Sequence, residues 1–160
     1  MKQKLYLDTS IPSAYYDFSK PLRQHITQKW FENETRNFQL FISTITIQEI
    51  NKLQNAVKKE NIFSLILRND VQVLENSDQA NNLAKLYCDK GAIPKSEFED
   101  ALHIAIATIN EIDSLASWNF KHIVSINPIR KIHEINEMQN LGRIEINSLE
   151  VFGGYKYGNL

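Results

Sequence analysis

Apolar residues along this chain fall into two alternating patterns: short continuous runs, and longer stretches where they recur at three- and four-residue intervals. Leu5-Tyr6-Leu7 is a short run stopped by Asp8-Thr9-Ser10 and Pro12, which predicts a buried strand whose C-terminal end delivers Asp8. Leu22, Ile26, Trp30 and Phe31 share helical spacing between Leu22 and Glu34. Phe38 to Ser43 reads as a second strand. Thr44-Ile45-Thr46 then forms the turn and N-cap of a helix from about Ile47 to Lys59, with Glu49 in its first turn. Ile62 to Arg68 predicts another helix and Val71 to Leu74 a short edge strand. Ser77-Asp78 caps a helix carrying Ala80, Leu83, Ala84, Leu86 and Tyr87, which ends at Gly91.

After the break at Ile93-Pro94-Lys95, Ser96 and Glu99 have capping-box spacing, and the helix they open is apolar nearly all round to about Asn110, so it belongs in the centre. Asp113 to Trp118 is the next strand, ending at Asn119. Pro128 begins a helix through Met138, and Arg143 to Ile146 closes a last strand. Strands alternating with helices imply right-handed crossovers and a mostly parallel sheet with helices on both faces. Function in such sheets collects at the carboxyl ends of the strands, here Asp8, the Ser43 to Glu49 turn and Asn119, with Asp100 at a helix start able to face them. A single domain over residues 1–152 is expected, followed by a Gly- and Tyr-rich tail, 153–160, that reads as poorly packed.

Composition narrows the partners. Eighteen Lys and Arg against 19 Asp and Glu leave a net charge of -1, so no long-range pull on a polyanion exists and any nucleic-acid contact must be local. The one cysteine, Cys88, lies in a helical pattern as a buried thiol. It offers no disulfide framework, which points to a reducing cytoplasm. No stretch has the length of a membrane helix, and Met1-Lys2-Gln3-Lys4 leads into a strand rather than an apolar leader, so a soluble, unexported protein is expected.

Three carboxylates lie against apolar sequence: Asp8, Glu49 and Asp100. Such groups lose hydration, which a cation or hydrogen-bond donors must replace. On three separate elements they make a hard divalent cation, Mg²⁺ or Mn²⁺, the economical expectation, and phosphodiester hydrolysis the reaction it would serve. His25, His103, His122, His133 and Cys88 lack zinc spacing. No phosphate-binding Gly-Lys loop, dinucleotide fingerprint or nucleophile elbow is present. A haloacid-dehalogenase-like site would need a second Asp where Ser10 stands.

Each residue also has a plainer use. Asp8 can cap its turn, and Glu49, Glu97 and Glu99 can complement a helix start; for the last two that reading suffices. Asp100 shares a stripe with His103, Ile104 and Ala107 and so points inward. His103 is read as a hydrogen-bonded core residue rather than a base. Thr9 and Ser10 satisfy backbone groups, with a hydroxyl also in reach of metal-bound water or substrate. Lys121, His122, Arg130 and Lys131 form a basic cluster that could grip phosphate, and Trp30 and Trp118 are core or interface aromatics.

Taken together, Leu7-Asp8-Thr9-Ser10, Thr46-Ile47-Gln48-Glu49-Ile50, Glu99-Asp100-Ala101-Leu102-His103-Ile104-Ala105 and Ser117-Trp118-Asn119-Phe120-Lys121-His122-Ile123 resemble PIN-domain proteins of the VapC toxin type, from Leu5 to about Ile126. The resemblance implies a three-layer α/β/α sandwich and a Mg²⁺- or Mn²⁺-dependent endoribonuclease. It also implies a cognate antitoxin that blocks the site, and a homodimer. Asp8, Glu49 and Asp100 match the first three acidic positions as metal ligands. Asn119 stands where a fourth acid is usual and would orient water or a ligand without supplying charge. The alternative is a PIN-fold protein that binds RNA or a partner without cutting.

Overall fold

A computed structural model describes residues 1–158. Five strands, β1 (Gln3–Leu7), β2 (Phe38–Ser43), β3 (Gln72–Leu74), β4 (Ser114–Ala116) and β5 (Glu145–Asn147), form one sheet in the order β3-β2-β1-β4-β5. Every pairing is parallel; Leu5 stands opposite both Leu40 and Ser114. The helices are α1 (Ser10–Ala14), α2 (Pro21–Asn33), α3 (Thr44–Asn51), α4 (Ala56–Arg68), α5 (Asp78–Asp89), α6 (Phe98–Ile109) and α7 (Ile126–Met138).

The two-residue period of the strands divides the interior into two cores. Tyr6, Phe41 and Leu115 point to one face, where they meet α5, α6 and α7 through residues such as Leu83, Ile104 and Ile132. Leu5, Leu7, Leu40, Ile42 and Ala116 point to the other and pack with Ile11, Ile26, Trp30, Ile62 and Leu65 of α1, α2 and α4. This is the expected three-layer sandwich. Burial of each such aliphatic side chain contributes about 1.5–3 kcal/mol, so both faces of the sheet are strongly specified. α6 is buried at every position from Ala101 to Thr108, as its all-round apolar sequence requires. Trp30 and Trp118 are core residues, and Cys88 is buried, its thiol pushed up by that burial.

Several local expectations shift. Asp8-Thr9-Ser10-Ile11-Pro12 is not an open turn: α1 begins at Ser10, because Pro12 falls in the first turn, where no backbone N–H is needed. The helix expected from Ile47 starts earlier, with Ser43 as N-cap in a reciprocal box with Thr46, and stops at Asn51. Asn55 then caps α4 through the Lys58 amide. Glu49 therefore lies in the last turn of its helix, where the dipole disfavours an acid, and dipole complementation does not account for it. The Ser96–Glu99 capping box does not form. A 3₁₀ turn over Lys95–Glu97, closed by the Glu97 amide on the Pro94 carbonyl, brings the chain in instead.

The tail expected to be poorly packed is docked as far as it is described. Trp30 Nε1 donates to the Phe152 carbonyl at 2.8 Å, and buried Glu34 accepts from Lys156 Nζ at 3.2 Å and Tyr157 Oη at 3.0 Å. Gly153 is left-handed, and a Cβ on Gly154 would stand 2.7 Å from the Leu149 carbonyl oxygen, so the Gly-Gly pair permits this approach. Asn159 and Leu160 lie outside the described residues. Glu34→Ala, which strips this segment of its acceptor, is expected to lower stability by about 1–3 kcal/mol and to expose the 153–158 segment to limited proteolysis. Unchanged proteolysis would show that Phe152 and Gly154 alone hold it. Among the described residues no helix is long and apolar enough to cross a membrane.

Candidate active site

The carboxyl ends of the strands gather the carboxylates on one rim. Asp8 follows β1, Glu49 lies on α3 directly after β2, Asn119 follows β4, and Asp100 stands in the first turn of α6, which runs back along the sheet. Asp8 is buried and anchors the loop after β4. Ser117 Oγ donates to its Oδ2 at 2.7 Å, and Ser10 donates to Oδ1 through its amide (3.1 Å) and its Oγ (2.5 Å). Both hydroxyls accept in turn, Ser10 Oγ from the Trp118 amide at 2.8 Å and Ser117 Oγ from the Asn119 amide at 2.9 Å. One carboxylate thus fixes the backbone that carries Asn119.

Glu49 is held by a second network. His103 Nε2 lies 2.5 Å from its Oε1, and Thr9 Oγ1 donates to the same oxygen at 2.7 Å. Tyr6 Oη donates to Ser43 Oγ at 2.7 Å and lies 2.6 Å from His103 Nδ1. With the Tyr6 hydroxyl hydrogen directed at Ser43 Oγ, Nδ1 is left to donate to Tyr6 Oη while Nε2 donates to Glu49, which makes His103 an imidazolium. Burial opposes that charge, but the surrounding Tyr6, Glu49 and Asp8 outweigh it and push His103 up to about 10. Burial likewise pulls Glu49 upward, yet the His103 and Thr9 bonds hold it below the usual carboxylate range.

Asp100 is less well compensated. Burial, then repulsion from Asp8, Glu97 and Glu49, pushes its carboxyl up to about 6, against a partial offset from His103. Its Oδ2 accepts one hydrogen bond, from Asn119 Nδ2 at 3.1 Å. Asn119 uses its other end to accept from the His122 amide at 2.9 Å. Asp8 is also raised, by burial above all, despite its bonds to Ser10 and Ser117. Two of the three carboxylates on this rim are thus raised, chiefly by burial, and their mutual repulsion adds to it.

The donor chemistry, all oxygen, fits a hard divalent cation. Among the described residues, however, no group of three His, Cys, Asp or Glu side chains is disposed to hold an ion as it stands. Glu49 Oε1 is occupied by His103 and Thr9, and both oxygens of Asp8 are occupied by hydroxyls.

The sequence-predicted residues separate accordingly. Asp8, Glu49, Asp100 and Asn119 lie on the rim, and Thr9 and Ser10 turn their hydroxyls onto Glu49 and Asp8. His122 is 3.8 Å from Glu97, and exposed Lys121 has no ion pair among the described residues. The basic cluster divides, because Lys131 turns away to the Gly91 carbonyl after α5. Glu99 pairs with Lys52 on the surface. Sequence reading missed the supporting roles of Tyr6, Ser43 and Ser117; His103 is the hydrogen-bonded core residue expected, and its partners are Tyr6 and Glu49. The signal available was the polar residues at strand ends, Ser43 and Ser117, where apolar ones would fill the core equally well.

A PIN domain family model matches residues 5–118, a span that encloses Asp8, Glu49 and Asp100 and stops just before Asn119. Among solved structures the chain is similar to VapC20 of Mycobacterium tuberculosis, a sarcin–ricin loop cleaving toxin. The TM-score is 0.59 at 13% identity, covering 74% of this chain and 92% of that one. It is also similar to VapBC2 of Rickettsia felis, solved bound to a DNA fragment from its promoter, with a TM-score of 0.56 at 12% identity over 91% of this chain and 98% of that one. At such identities the likeness is one of fold. No curated protein matches the sequence.

Proposed function

Because this chain belongs to the PIN domain family, we propose that it is a divalent-metal-dependent endoribonuclease, the toxin of a toxin–antitoxin pair acting in the cytoplasm. The observation that carries the reading is the carboxylate rim itself: Asp8, Glu49 and Asp100 brought together at the strand ends, with Asp100 raised by burial first and then by its acidic neighbours. Fold likeness to VapC20 and VapBC2 supports the toxin assignment, and the second of these supports an antitoxin as partner.

In this reading Asp8, Glu49 and Asp100 hold Mg²⁺ or Mn²⁺, directly or through water. An ion held there would supply Lewis-acid charge to a phosphodiester and lower the pKa of a water. Asp8 keeps the Asn119 loop in register through Ser117 and Ser10. Asn119 orients Asp100 through its amide and carries no charge of its own, which favours one ion over two. His103 and Thr9 fix the Glu49 carboxylate through Oε1, so that Glu49 would be a pre-oriented ligand if an ion is bound. RNA is the substrate and no covalent enzyme intermediate forms.

Purified protein is expected to cleave RNA with Mn²⁺ or Mg²⁺ and to stop in EDTA; failure on single-stranded and structured RNAs alike would end the enzymatic reading. Cation affinity is expected to climb between pH 5 and 7, as Asp100, whose carboxyl sits at about 6, loses its proton. An Mn²⁺ titration followed by electron paramagnetic resonance measures this, and affinity flat across that window would remove Asp100 from the ligand set. Homodimerisation is checked by sedimentation, and the antitoxin by loss of cleavage on co-purification with the product of a neighbouring reading frame.

A second reading, a PIN-fold protein that binds without cutting, draws on the absence of a ready-made three-ligand group among the described residues. Saturable Mn²⁺ stabilisation against unfolding favours the enzyme, and its absence favours this alternative.

A further inference from the structure

Beside Asn119 the chain carries an aromatic ring that packs edge-on against Trp118 yet stays open to solvent. Trp118 is 4% exposed and donates through Nε1 to Thr27 Oγ1 at 3.0 Å, which ties the loop to α2. Phe120, two residues on, is 45% exposed. Its amide bonds to the Trp118 carbonyl at 3.1 Å, and Asn119 between them holds Asp100, so the backbone that carries Phe120 is tied to the carboxylate rim. The Arg23 guanidinium of α2 stands over both rings, 5.3 Å from the Phe120 centroid and 5.6 Å from that of Trp118. Among the described residues that guanidinium has no carboxylate or hydrogen-bond partner, so its N–H donors remain available. The neighbouring Lys121 is exposed and likewise without an ion pair among them.

We propose that Phe120, braced by Arg23, is a stacking subsite for one nucleobase of single-stranded RNA next to the scissile phosphate, with Arg23 and Lys121 gripping the adjoining phosphates. The subsite rests on the ribonuclease reading and names where the substrate is held. Trp118 by itself already ties the loop to α2, while Phe120 leaves nearly half of its surface in water. An aromatic face backed by a guanidinium suits an unpaired base, whose π-face is open only in single strands. With the whole chain at net charge -1, a phosphate has to be captured by such a local pair.

The test uses the full chain carrying Asp100→Asn to suppress cleavage. Binding is read by fluorescence anisotropy with a labelled single-stranded oligoribonucleotide in which one abasic nucleotide is walked along the strand. The parent is expected to lose about tenfold in affinity when the abasic position meets Phe120. Phe120→Ala is expected to bind the intact strand about tenfold more weakly and to be indifferent to the abasic position, with Phe120→Trp restoring both. Arg23→Gln lowers the slope of log affinity against log salt by about 0.7, one phosphate contact. Phe120→Leu keeps the packing without the aromatic face and serves if the alanine variant unfolds. Intact binding by Phe120→Ala or Phe120→Leu, an abasic penalty that persists in them, or a parent that binds no single strand would overturn the subsite. Wild-type cleavage with Mn²⁺ judges the nuclease reading separately: cutting without any Phe120 dependence removes the subsite alone.

Discussion

Asp100→Asn is expected to abolish metal-dependent RNA cleavage while leaving the apo protein as stable as wild type or more so. Asparagine preserves the shape and can still accept from Asn119 Nδ2, so the loop after β4 keeps its register. What disappears is a negative charge that burial and then Asp8 disfavour, raising the Asp100 carboxyl to about 6. A carboxyl with a folded-state value above its unfolded one binds its proton more tightly when folded. Stability from this group is therefore greatest below about pH 4 and is lost as pH rises through about 6. At pH 7 the full penalty is present in the wild type and absent in the variant, and a melting point unchanged or raised by a few degrees follows. Thermal unfolding in EDTA, beside cleavage in Mn²⁺, reads both effects. A destabilised variant would show that Asp100 is held for structure, and a variant that still cuts would remove it from the site.

His103→Ala is expected to do the opposite to stability. The imidazole is fully buried between Tyr6 Oη and Glu49 Oε1. Its removal leaves Tyr6 short of a partner, takes the positive charge from beside Glu49 and Asp8, and opens a cavity against the first strand. Removing one member of a buried pair costs about 3–5 kcal/mol, which at this chain length lowers the melting point by roughly 10 °C. His103→Gln, able to donate to Glu49 but not also to reach Tyr6, should recover part of the loss. Equal melting of His103→Ala and wild type would show that the network contributes no net stability. If cation affinity falls in His103→Gln more than its stability does, His103 also positions Glu49 for the ion.

The local errors share a cause. Pro12 reads as a breaker in isolation, yet a first-turn proline is compatible with α1. Ser96 and Glu99 have the spacing of a cap, but the 3₁₀ turn over Lys95–Glu97 places both off register. The Gly-rich end looks loose because its partners, Trp30 and Glu34, lie more than a hundred residues away. His103 carries no local sign that Glu49 is its neighbour; on an apolar helix it is indistinguishable from any satisfied core histidine.

Hydrophobic periodicity by itself determined the alternation of strands and helices, the parallel sheet and the rim on which Asp8, Glu49, Asp100 and Asn119 stand. Strand period and crossover handedness are properties of the local chain. Tertiary structure alone decided what each carboxylate faces: hydroxyls for Asp8, an imidazolium for Glu49, and the Asn119 amide for Asp100. Hydrogen-bond partners and local dielectric depend on atoms brought together from distant segments, so the charge balance of the rim exists only once the chain has folded.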